Sequence, residues 1–382
     1  MFLISIKTGL MSTIRVAVIG TGFGQAVHIP GLKHHSRTKV IAIYNRDLGK
    51  SKAIADFHQI PYAFDDFEKL LSLSEIDAVS LSTPPFLHYE MSKRILEAGK
   101  HLLLEKPMAM SAQEARELYY LAQQKELVVT TDFEFRYVPA WQLLSKYLQQ
   151  NYVGQIRLIK IDWLVASRAN PKLAWNWYSC REQGGGVLGA IGSHSFDYIH
   201  WLFGPIKRLT ARMICAIKER PDPKDNNKLK SVNTDDTCLL MLELGNGVPC
   251  QVSLSSVTYN GRGHWIEVYG DHGTLVLGSD NLKDYVHGFH LQAAFTGQSL
   301  TEVKIPKWLA FPELFIDGRL APFIRVVDRW VESIDQGKSL TPSLYEGVYS
   351  QLIMDLAYEA SDKNCWVDVP NLEQYMDLVN LE

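Results

Sequence analysis

The chain has 382 residues, a length that suits two or three domains better than one. Hydrophobic residues make up 46% and charged residues 21%, which excludes a disordered chain and lets each domain bury a core. The net charge is −3, with no basic block and no apolar run of membrane-spanning length, so neither nucleic acid nor a membrane is expected as a partner.

The five cysteines and the start of the chain bear on its cellular setting. The cysteines are widely spaced and form no C-x-x-C pair, so we expect a reduced, cytoplasmic protein without a disulfide framework or a zinc site; no metal site is predicted. Residues 1–10 lack the basic start and the cleavage site of a signal peptide. We interpret them as an extension before the first domain or the product of a misplaced start codon.

Short β-type runs alternate with helical patterns at the start of the chain. The runs cover residues 14–19, 40–44, 77–81, 101–104 and 127–131, and the helical patterns cover residues 25–35, 85–98 and 111–125. This alternation predicts a parallel sheet with helices on both faces. We therefore assign residues 12–135 to a doubly wound α/β domain of the Rossmann type.

A glycine cluster follows the first β-type run. It comprises Gly20, Thr21, Gly22, Phe23 and Gly24. Such glycines allow a tight turn and let a pyrophosphate approach the backbone at the start of a helix. A lone G-x-G is a weak signal, and the third small residue is expected at position 25, where Gln25 stands. The position between a strand and a helix nevertheless favours a dinucleotide site.

The end of the second run carries a signal for the type of dinucleotide. A site for NAD usually has Asp or Glu here to bind the adenosine ribose, but this chain has Asn45 and Arg46. A guanidinium can pair with a 2′-phosphate that a carboxylate would repel, so we predict a preference for NADP over NAD. The alternative is a solvated Arg46, with Asp47 binding the ribose.

Several motifs together resemble the family of glucose-fructose oxidoreductase, inositol dehydrogenase and rhizopine catabolism proteins (Gfo/Idh/MocA). They are Ser82-Thr83-Pro84-Pro85 with His88, Glu105-Lys106-Pro107, and Gly192-Ser193-His194 with Asp197. The resemblance runs from about residue 13 to the C-terminal helices. It implies a nicotinamide-dependent oxidoreductase whose cofactor contacts Ser82, Thr83, Pro84, His88, Glu105 and Lys106. It also implies a constrained Lys106–Pro107 bond that can be cis.

The resemblance further implies a C-terminal α+β domain over residues 136–382 with a large open, mostly antiparallel sheet. The residue pattern agrees, because apolar residues alternate with polar ones over 209–217, 238–244 and 250–254, and β-type runs cover 156–165 and 265–269. Helical patterns cover 187–203, 322–336 and 344–361. Members of the family oligomerise through the exposed face of this sheet, so a homodimer or homotetramer is expected.

Hydride transfer requires one group that stabilises charge on the substrate oxygen and another that exchanges its proton. We predict Lys106 for the first role and His194, whose imidazole titrates near neutrality, for the second. Asp197 could orient His194 or bind a substrate hydroxyl, and a salt bridge explains it equally well. The family commonly has aspartate at position 190; Ala190 stands there in this chain, so the usual proton relay is incomplete.

Substrate contacts are predicted at two places. Trp175, Trp177 and Tyr178 offer flat apolar faces that suit a sugar ring, although buried tryptophans that pin a loop would give the same pattern. Arg136 and Tyr137 follow the last Rossmann strand, where they could line the cleft or join the two domains.

These residues predict an NAD(P)-dependent oxidoreductase that acts on a sugar, a polyol or a related hydroxy or carbonyl compound. One alternative is a reductase of a non-sugar ring compound, of the biliverdin or dihydrodiol type. Others are redox-neutral glycoside cleavage with tightly held NAD and a non-catalytic regulator that senses the dinucleotide.

Overall fold

Two β-sheets of different construction organise the chain. The computed structural model describes residues 12–281 and 288–377. The extension expected at residues 1–10 lies outside these ranges. Within them, no helix is both long and apolar enough to cross a membrane.

The first sheet has six strands, all parallel, in the order β3-β2-β1-β4-β5-β6. The strands are β1 (Ile14–Ile19), β2 (Thr38–Tyr44), β3 (Tyr62–Phe64), β4 (Ala78–Leu81), β5 (His101–Leu104) and β6 (Val129–Thr131). The helices between them are α1 (Ile29–His34), α2 (Leu48–His58), α3 (Phe67–Leu71), α4 (His88–Glu97) and α5 (Ala112–Gln124). The predicted Rossmann sheet is confirmed. Strand β3 was not predicted, because three partly exposed residues are too few to show a period.

The second sheet has nine strands in the order β16-β15-β14-β13-β7-β12-β11-β8-β17. Neighbouring strands are antiparallel except β7 and β12, which are parallel, so the predicted mostly antiparallel sheet is confirmed. The strands are β7 (Ile156–Leu164), β8 (Ile206–Ile214), β11 (Thr237–Leu244), β12 (Pro249–Ser255), β13 (Gly263–Gly270), β14 (Gly273–Ser279), β15 (His290–Phe295), β16 (Thr301–Val303) and β17 (Val367–Asp368). A separate hairpin consists of β9 (Glu219–Asp222) and β10 (Lys228–Ser231).

One face of the second sheet is buried and the other is open. Along β11, Leu240 and Leu242 are buried, whereas Leu239 and Met241 are each 45% exposed. The helices of this half are α6 (Pro139–Gln149), α7 (Ser193–Phe203), α8 (Leu320–Gln336), α9 (Leu344–Lys363) and α10 (Leu372–Asp377). The alternation read from the sequence therefore has the meaning expected of a half-buried strand.

Helix α8 belongs to the core of the first sheet although it lies late in the chain. Its buried residues Phe323, Val327 and Trp330 pack in one hydrophobic cluster with residues of β1 and β2. The ring of Phe323 stacks on that of His28, which precedes α1, with 4.4 Å between centroids. Helix α9 contacts β6 of the first sheet and β8 of the second, so the late helices pack against both sheets. The boundary expected at residues 135 and 136 stays a prediction.

Candidate active site

The register of the parallel sheet brings four chain segments to one edge. Ile19, Leu81, Leu104 and Thr131 are aligned at the ends of β1, β4, β5 and β6. The residues that directly follow these strands are Gly20, Ser82, Glu105 and Asp132. They therefore form a row at the carboxyl edge, where open α/β sheets bind ligands.

The glycine turn after β1 has the shape that a pyrophosphate needs. Gly20 has a φ of 115°, and a Cβ atom there would lie 2.5 Å from the carbonyl oxygen of Ser82. A Cβ at Gly22 would have no atom within 4 Å, so the backbone there is open to a ligand. Among the described residues, the N–H groups of Gly22 and Phe23 have no hydrogen-bond acceptor. These residues fit a bound dinucleotide phosphate.

The third small residue of this turn is Gly24, not residue 25. A Cβ at Gly24 would lie 2.5 Å from Ser82 Oγ and 3.3 Å from Val18 Cγ1. A π-helical turn, Gly24–His28, begins at this point and leads into α1. The close contact between helix and strand that the motif requires is thus made one residue earlier than its usual spacing.

The end of β2 presents Arg46 to solvent. Asn45 Nδ2 donates a hydrogen bond to Thr21 Oγ1 at 2.7 Å, which joins this turn to the glycine turn. Asp47 caps α2, because its Oδ1 accepts from Lys50 N at 3.1 Å. Arg46 is exposed and makes no hydrogen bond or salt bridge with the residues that the structure describes. The cationic group is therefore available to a ligand, whereas the carboxylate of Asp47 is engaged by its helix.

His88 connects the predicted cofactor segment that contains Thr83 to the one that contains Lys106 and Pro107. Its Nε2 lies 2.7 Å from the carbonyl oxygen of Thr83, and its Nδ1 lies 2.8 Å from that of Pro107. Burial lowers the pKa of His88, so the neutral ring has one N–H and donates it to one of these two carbonyls. Both ring nitrogens thus lie within hydrogen-bond distance of a backbone carbonyl, and the single N–H of the neutral ring can serve only one of the two. Pro84 lies next to Thr83 and precedes a short 3-10 turn, Pro85–Leu87.

Lys106 lies where the two halves of the chain meet. Its Nζ donates a hydrogen bond to the carbonyl oxygen of Ala190 at 2.9 Å, and no carboxylate of the described residues is within salt-bridge distance of it. The Lys106–Pro107 peptide bond is cis. Ala190 belongs to a π-helical turn, Leu188–Gly192, that leads into α7. At position 190, where the family resemblance implies a carboxylate, Lys106 thus binds the backbone carbonyl.

His194 is enclosed by aromatic rings. It is 4% exposed, and the ring centroids of Phe133, Phe135 and Trp163 lie 6.3, 5.0 and 6.2 Å from its own. Burial and, after it, the positive charge of Lys106 hold the pKa of His194 well below its usual value. The imidazole is therefore neutral near pH 7 and does not titrate there. Its Nδ1 is buried and has no hydrogen-bond partner in the described part of the chain.

Asp197 forms the salt bridge that was its alternative explanation. Its two carboxylate oxygens accept from Arg136 Nη2 at 2.7 Å and from Arg136 Nε at 2.9 Å. Burial raises the pKa of Asp197 to about 6, although the Arg136 charge opposes the shift. Tyr137 also lies at a contact between segments, since its carbonyl accepts from Arg325 of α8 at 2.9 Å. Arg136 and Tyr137 thus join elements of the two halves.

A cavity of about 350 Å³ adjoins the turn that contains Ala190. Its lining includes Arg168, Tyr178, Ala190, Arg220, Asp235 and Asp236. We call it the arginine cavity. Lys106 and His194 do not line it themselves, and its link to Lys106 is the carbonyl of Ala190. Of the three predicted aromatic residues, Tyr178 lines the cavity. The ring of Trp177 stacks on that of Tyr178, with 3.7 Å between centroids. Trp175 packs on Lys230 of β10 instead.

A buried carboxyl cluster beside Lys106 was not predicted. It consists of Glu105, Asp132 and Glu134, with His28 against it. His28 Nε2 lies 3.0 Å from Glu105 Oε1, and its Nδ1 lies 2.7 Å from Ser80 Oγ. One possible ligand atom from each of His28, Glu105 and Asp132 falls within 4.8 Å of the others. The available signal was the one that identified Lys106, a polar residue directly after a parallel strand.

The three carboxyl groups of this cluster ionise unequally. Burial opposes the ionisation of Glu105, but the hydrogen bond and charge of His28 outweigh it and lower the pKa. Burial and the neighbouring carboxylates raise the pKa of Asp132 well above its usual value and that of Glu134 to about 7. Both carboxylate oxygens of Asp132 are buried without a hydrogen-bond partner among the described residues. The cluster therefore holds protons at neutral pH.

Comparisons with known proteins place the chain in a family. Residues 14–133 match the NAD-binding Rossmann fold of an oxidoreductase family, and residues 145–369 match the C-terminal alpha/beta domain of the same family. An uncharacterized oxidoreductase of Synechocystis sp. is 56% identical over 95% of this chain and 98% of its own length. Levoglucosan dehydrogenase of Pseudarthrobacter phenanthrenivorans is 26% identical over 95% of this chain and 100% of its own length.

A solved structure has the same fold. Levoglucosan dehydrogenase in complex with NADH and L-sorbose superposes with a TM-score of 0.85 at 24% identity, over 94% of this chain and 100% of that one. The match to the NAD-binding domain of an oxidoreductase family identifies the chain as a nicotinamide-dependent oxidoreductase, and the glycine turn agrees with it. The chain belongs to the Gfo/Idh/MocA family.

The carboxyl cluster predicts a pH dependence of stability. The pKa of Glu134 is raised from 4.5 to about 7 in the folded protein, so its contribution to stability is full below about pH 4.5 and is lost as the pH rises through about 7. A glutamine has no such loss. Glu134→Gln should therefore raise the free energy of unfolding at about pH 8 relative to the parent, by about 1–3 kcal/mol, with little difference at about pH 5.

Urea unfolding of both proteins across this pH range measures the difference. Glu97→Gln, on the exposed end of α4, is the matched control and should follow the parent. Parallel pH curves for Glu134→Gln and the parent would contradict the assignment.

Proposed function

We propose that this oxidoreductase transfers hydride between NADP and a carbinol or carbonyl carbon of a sugar, a polyol or a related compound. The observation that carries the proposal is the position of Lys106. Its amino group follows the carboxyl edge of the Rossmann sheet and reaches Ala190 on the wall of the arginine cavity. The residue that Lys106 binds thus borders a cavity large enough for a small substrate.

The nicotinamide, when bound, supplies or accepts the hydride. The protein must then position the substrate oxygen and stabilise the charge that develops on it. Lys106 has three N–H donors, and one of them is used by Ala190. We infer that another donates to the substrate oxygen. The sugar-related part of the proposal is supported by the name of a relative that matches 95% of this chain, a levoglucosan dehydrogenase.

His194 is our candidate for the proton exchange. Buried polar atoms without partners are rare in proteins and often belong to a functional site. The Nδ1 atom of His194 is such an atom. Burial and the charge of Lys106 keep the imidazole neutral, so its unprotonated nitrogen can accept a proton from a substrate hydroxyl that enters the site. Asp197 would act indirectly, because it holds Arg136 next to this helix.

The proposed preference for NADP is supported by the residues at the end of β2. Arg46 is exposed without a partner in the described residues, and Asp47 is occupied as the cap of α2. A ribose 2′-phosphate would supply a negative charge that can pair with the Arg46 guanidinium. Asn45 holds this turn against Thr21 of the glycine turn. The two turns would thus bind one dinucleotide together.

The open face of the second sheet is our candidate for an oligomer interface. Leu158 is 36% exposed, and Leu239 and Met241 are each 45% exposed. These side chains lie on strands β7 and β11, which β12 joins. Apolar side chains grouped on an open sheet face are typical of a surface that another subunit covers. A homodimer or homotetramer would bury them.

Lys106→Met tests the central role. It should lower kcat by about a hundredfold or more, because the substrate oxygen loses a charged donor, and leave NADPH binding within about threefold. Turnover is measured by NADPH oxidation or NADP reduction on the best compound of a sugar and polyol panel. Lys100→Met is the matched control, since Lys100 lies at the other end of β5 and also donates to a backbone carbonyl. Turnover of Lys106→Met within about threefold of the parent would refute the role.

Arg46→Ala tests the cofactor preference. It should weaken NADPH binding by about ten- to hundredfold, the contribution of a hydrogen bond between charged groups, and leave NADH binding nearly unchanged. Titration of both reduced cofactors by fluorescence gives the two constants. Lys52→Ala, an exposed cation on α2, serves as the control. Equal NADPH binding in Arg46→Ala and the parent would remove the argument for a 2′-phosphate site.

Light scattering after size-exclusion chromatography tests the interface. The double variant Leu239→Glu, Met241→Glu should yield monomers where the parent yields dimers or tetramers, because paired carboxylates are costly in an apolar interface. Phe57→Glu changes an apolar residue that is 78% exposed on α2 and should keep the parent mass. A monomeric parent, or a double variant of unchanged mass, would overturn the proposed interface.

A further inference from the structure

Two arginines lie on the wall of the arginine cavity. Arg168 follows β7 and Arg220 belongs to β9, and both line the cavity. Neither forms a salt bridge with any residue that the structure describes. Arg168 lies over the ring of Tyr178 at 5.0 Å, and its Nη2 is 3.5 Å from Asn176 Oδ1, a long contact. Most of its hydrogen-bonding capacity is therefore unused.

Arg220 holds the segment that contains Arg168. Its Nη1 donates to the carbonyl of Asn170 at 2.8 Å, and its Nη2 donates to the carbonyl of Arg168 at 2.6 Å. Arg220 is 3% exposed, so a second cation lies fixed behind the first. Burial and, after it, the charge of Arg220 lower the pKa of Arg168. Two like charges at one wall, partly out of water, favour an anion between or in front of them.

The acidic residues of the cavity form no salt bridge with these arginines in the described structure, although the charge of Asp236 acts on Arg220. Asp235 accepts from Tyr358 Oη and from Leu188 N, each at 2.8 Å. Asp236 Oδ2 accepts from the backbone N–H groups of Ala216 at 2.8 Å and Ile217 at 2.9 Å. Both carboxylates thus bind backbone N–H groups, and Asp236 Oδ1 is buried without a hydrogen-bond partner among the described residues. Neither comes within salt-bridge distance of Arg168 or Arg220 in the described structure.

The remaining wall fits a polyhydroxy compound. Its lining includes three residues with hydroxyl groups, Ser167, Thr234 and Ser256, and the aromatic residue Tyr178. Ala190 contributes a methyl group at the point where its carbonyl binds Lys106. A carboxylate side chain at this position would repel an anion, whereas the methyl group does not.

We propose that the arginine cavity binds a hydroxy acid of sugar size, such as an aldonate or a uronate, with its carboxylate on Arg168. Arg220 is a positioning residue, because it holds the backbone of Arg168. The inference rests on the proposed function in so far as the bound acid is the substrate of the same reaction. The amino group of Lys106, bound to the cavity wall at Ala190, is then near the acid's hydroxyl-bearing carbons.

Matched pairs of acid and neutral compound test the proposal. D-Glucuronate is compared with D-glucose and D-gluconate with D-glucitol, by calorimetric titration of the full chain with and without NADPH. Each acid should bind at least about tenfold more tightly than its neutral counterpart, as a charge-assisted hydrogen bond implies. Arg168→Ala should remove most of this difference, and Arg168→Lys, which keeps the charge without the planar fork, should retain part of it.

Two further variants separate charge in the cavity from general damage. Arg157→Ala removes an exposed arginine at the other end of β7 and should bind the acids as the parent does. Ala190→Asp adds a carboxylate to the cavity wall and should weaken the acids more than the neutral compounds. Equal affinity for acid and neutral compound in the parent overturns the proposal. So does acid binding unchanged in Arg168→Ala, or an absence of saturable binding by both acids.

Failure of the proposed function would look different. If the acids bind through Arg168 but neither NADPH binding nor turnover is found, the anion site stands and the hydride-transfer proposal fails. If NADPH binds and the neutral compounds are turned over without any advantage for the acids, the hydride-transfer proposal stands and the anion site fails.

Discussion

The alignment of four parallel strand ends is the constraint on which the site depends. Because Ile19, Leu81, Leu104 and Thr131 are in register, the glycine turn, Ser82 and the segments after β5 and β6 must share one edge. A slip of one residue would turn the following side chains to the other face of the sheet. This register explains why a nucleotide turn, a lysine and a buried carboxyl cluster, distant in the chain, become neighbours.

Two polar contacts join the segments that follow β5 and β6 to the segment that contains α7. Lys106 binds the carbonyl of Ala190, and Arg136 binds Asp197 of α7. The first is a hydrogen bond from a charged amino group, and the second is a buried bidentate salt bridge, a geometry that arginine favours. Between them, His194 lies among aromatic rings and remains neutral. The aromatic rings around the His194 imidazole are thus part of the site, as the charged groups of Lys106, Arg136 and Asp197 are.

Much of the fold and part of the site could be predicted from short-range patterns. The runs at Ile14–Ile19 and His101–Leu104 became strands with the bounds predicted, because apolar, β-branched residues and the glycine after the first run act locally. Lys106 was found through its motif. Arg168, Arg220, Asp132 and Glu134 were not singled out, because nothing near them in the sequence marks a charged residue as buried. Their significance comes from partners remote in the chain, such as Glu105 for Asp132 and Glu134 and Arg220 for Arg168, 52 residues away.

Neighbouring residues and motif spacing were enough to predict most strands and helices, the glycine turn and the family. The pairing of charges depends on tertiary contacts. In the folded protein, Asp197 pairs with Arg136. Arg168 and Arg220 have no carboxylate within salt-bridge distance among the described residues, and the pKa of Glu134 is raised to about 7. Burial and the distance between charges govern these outcomes, and both exist only after the chain has brought remote segments together.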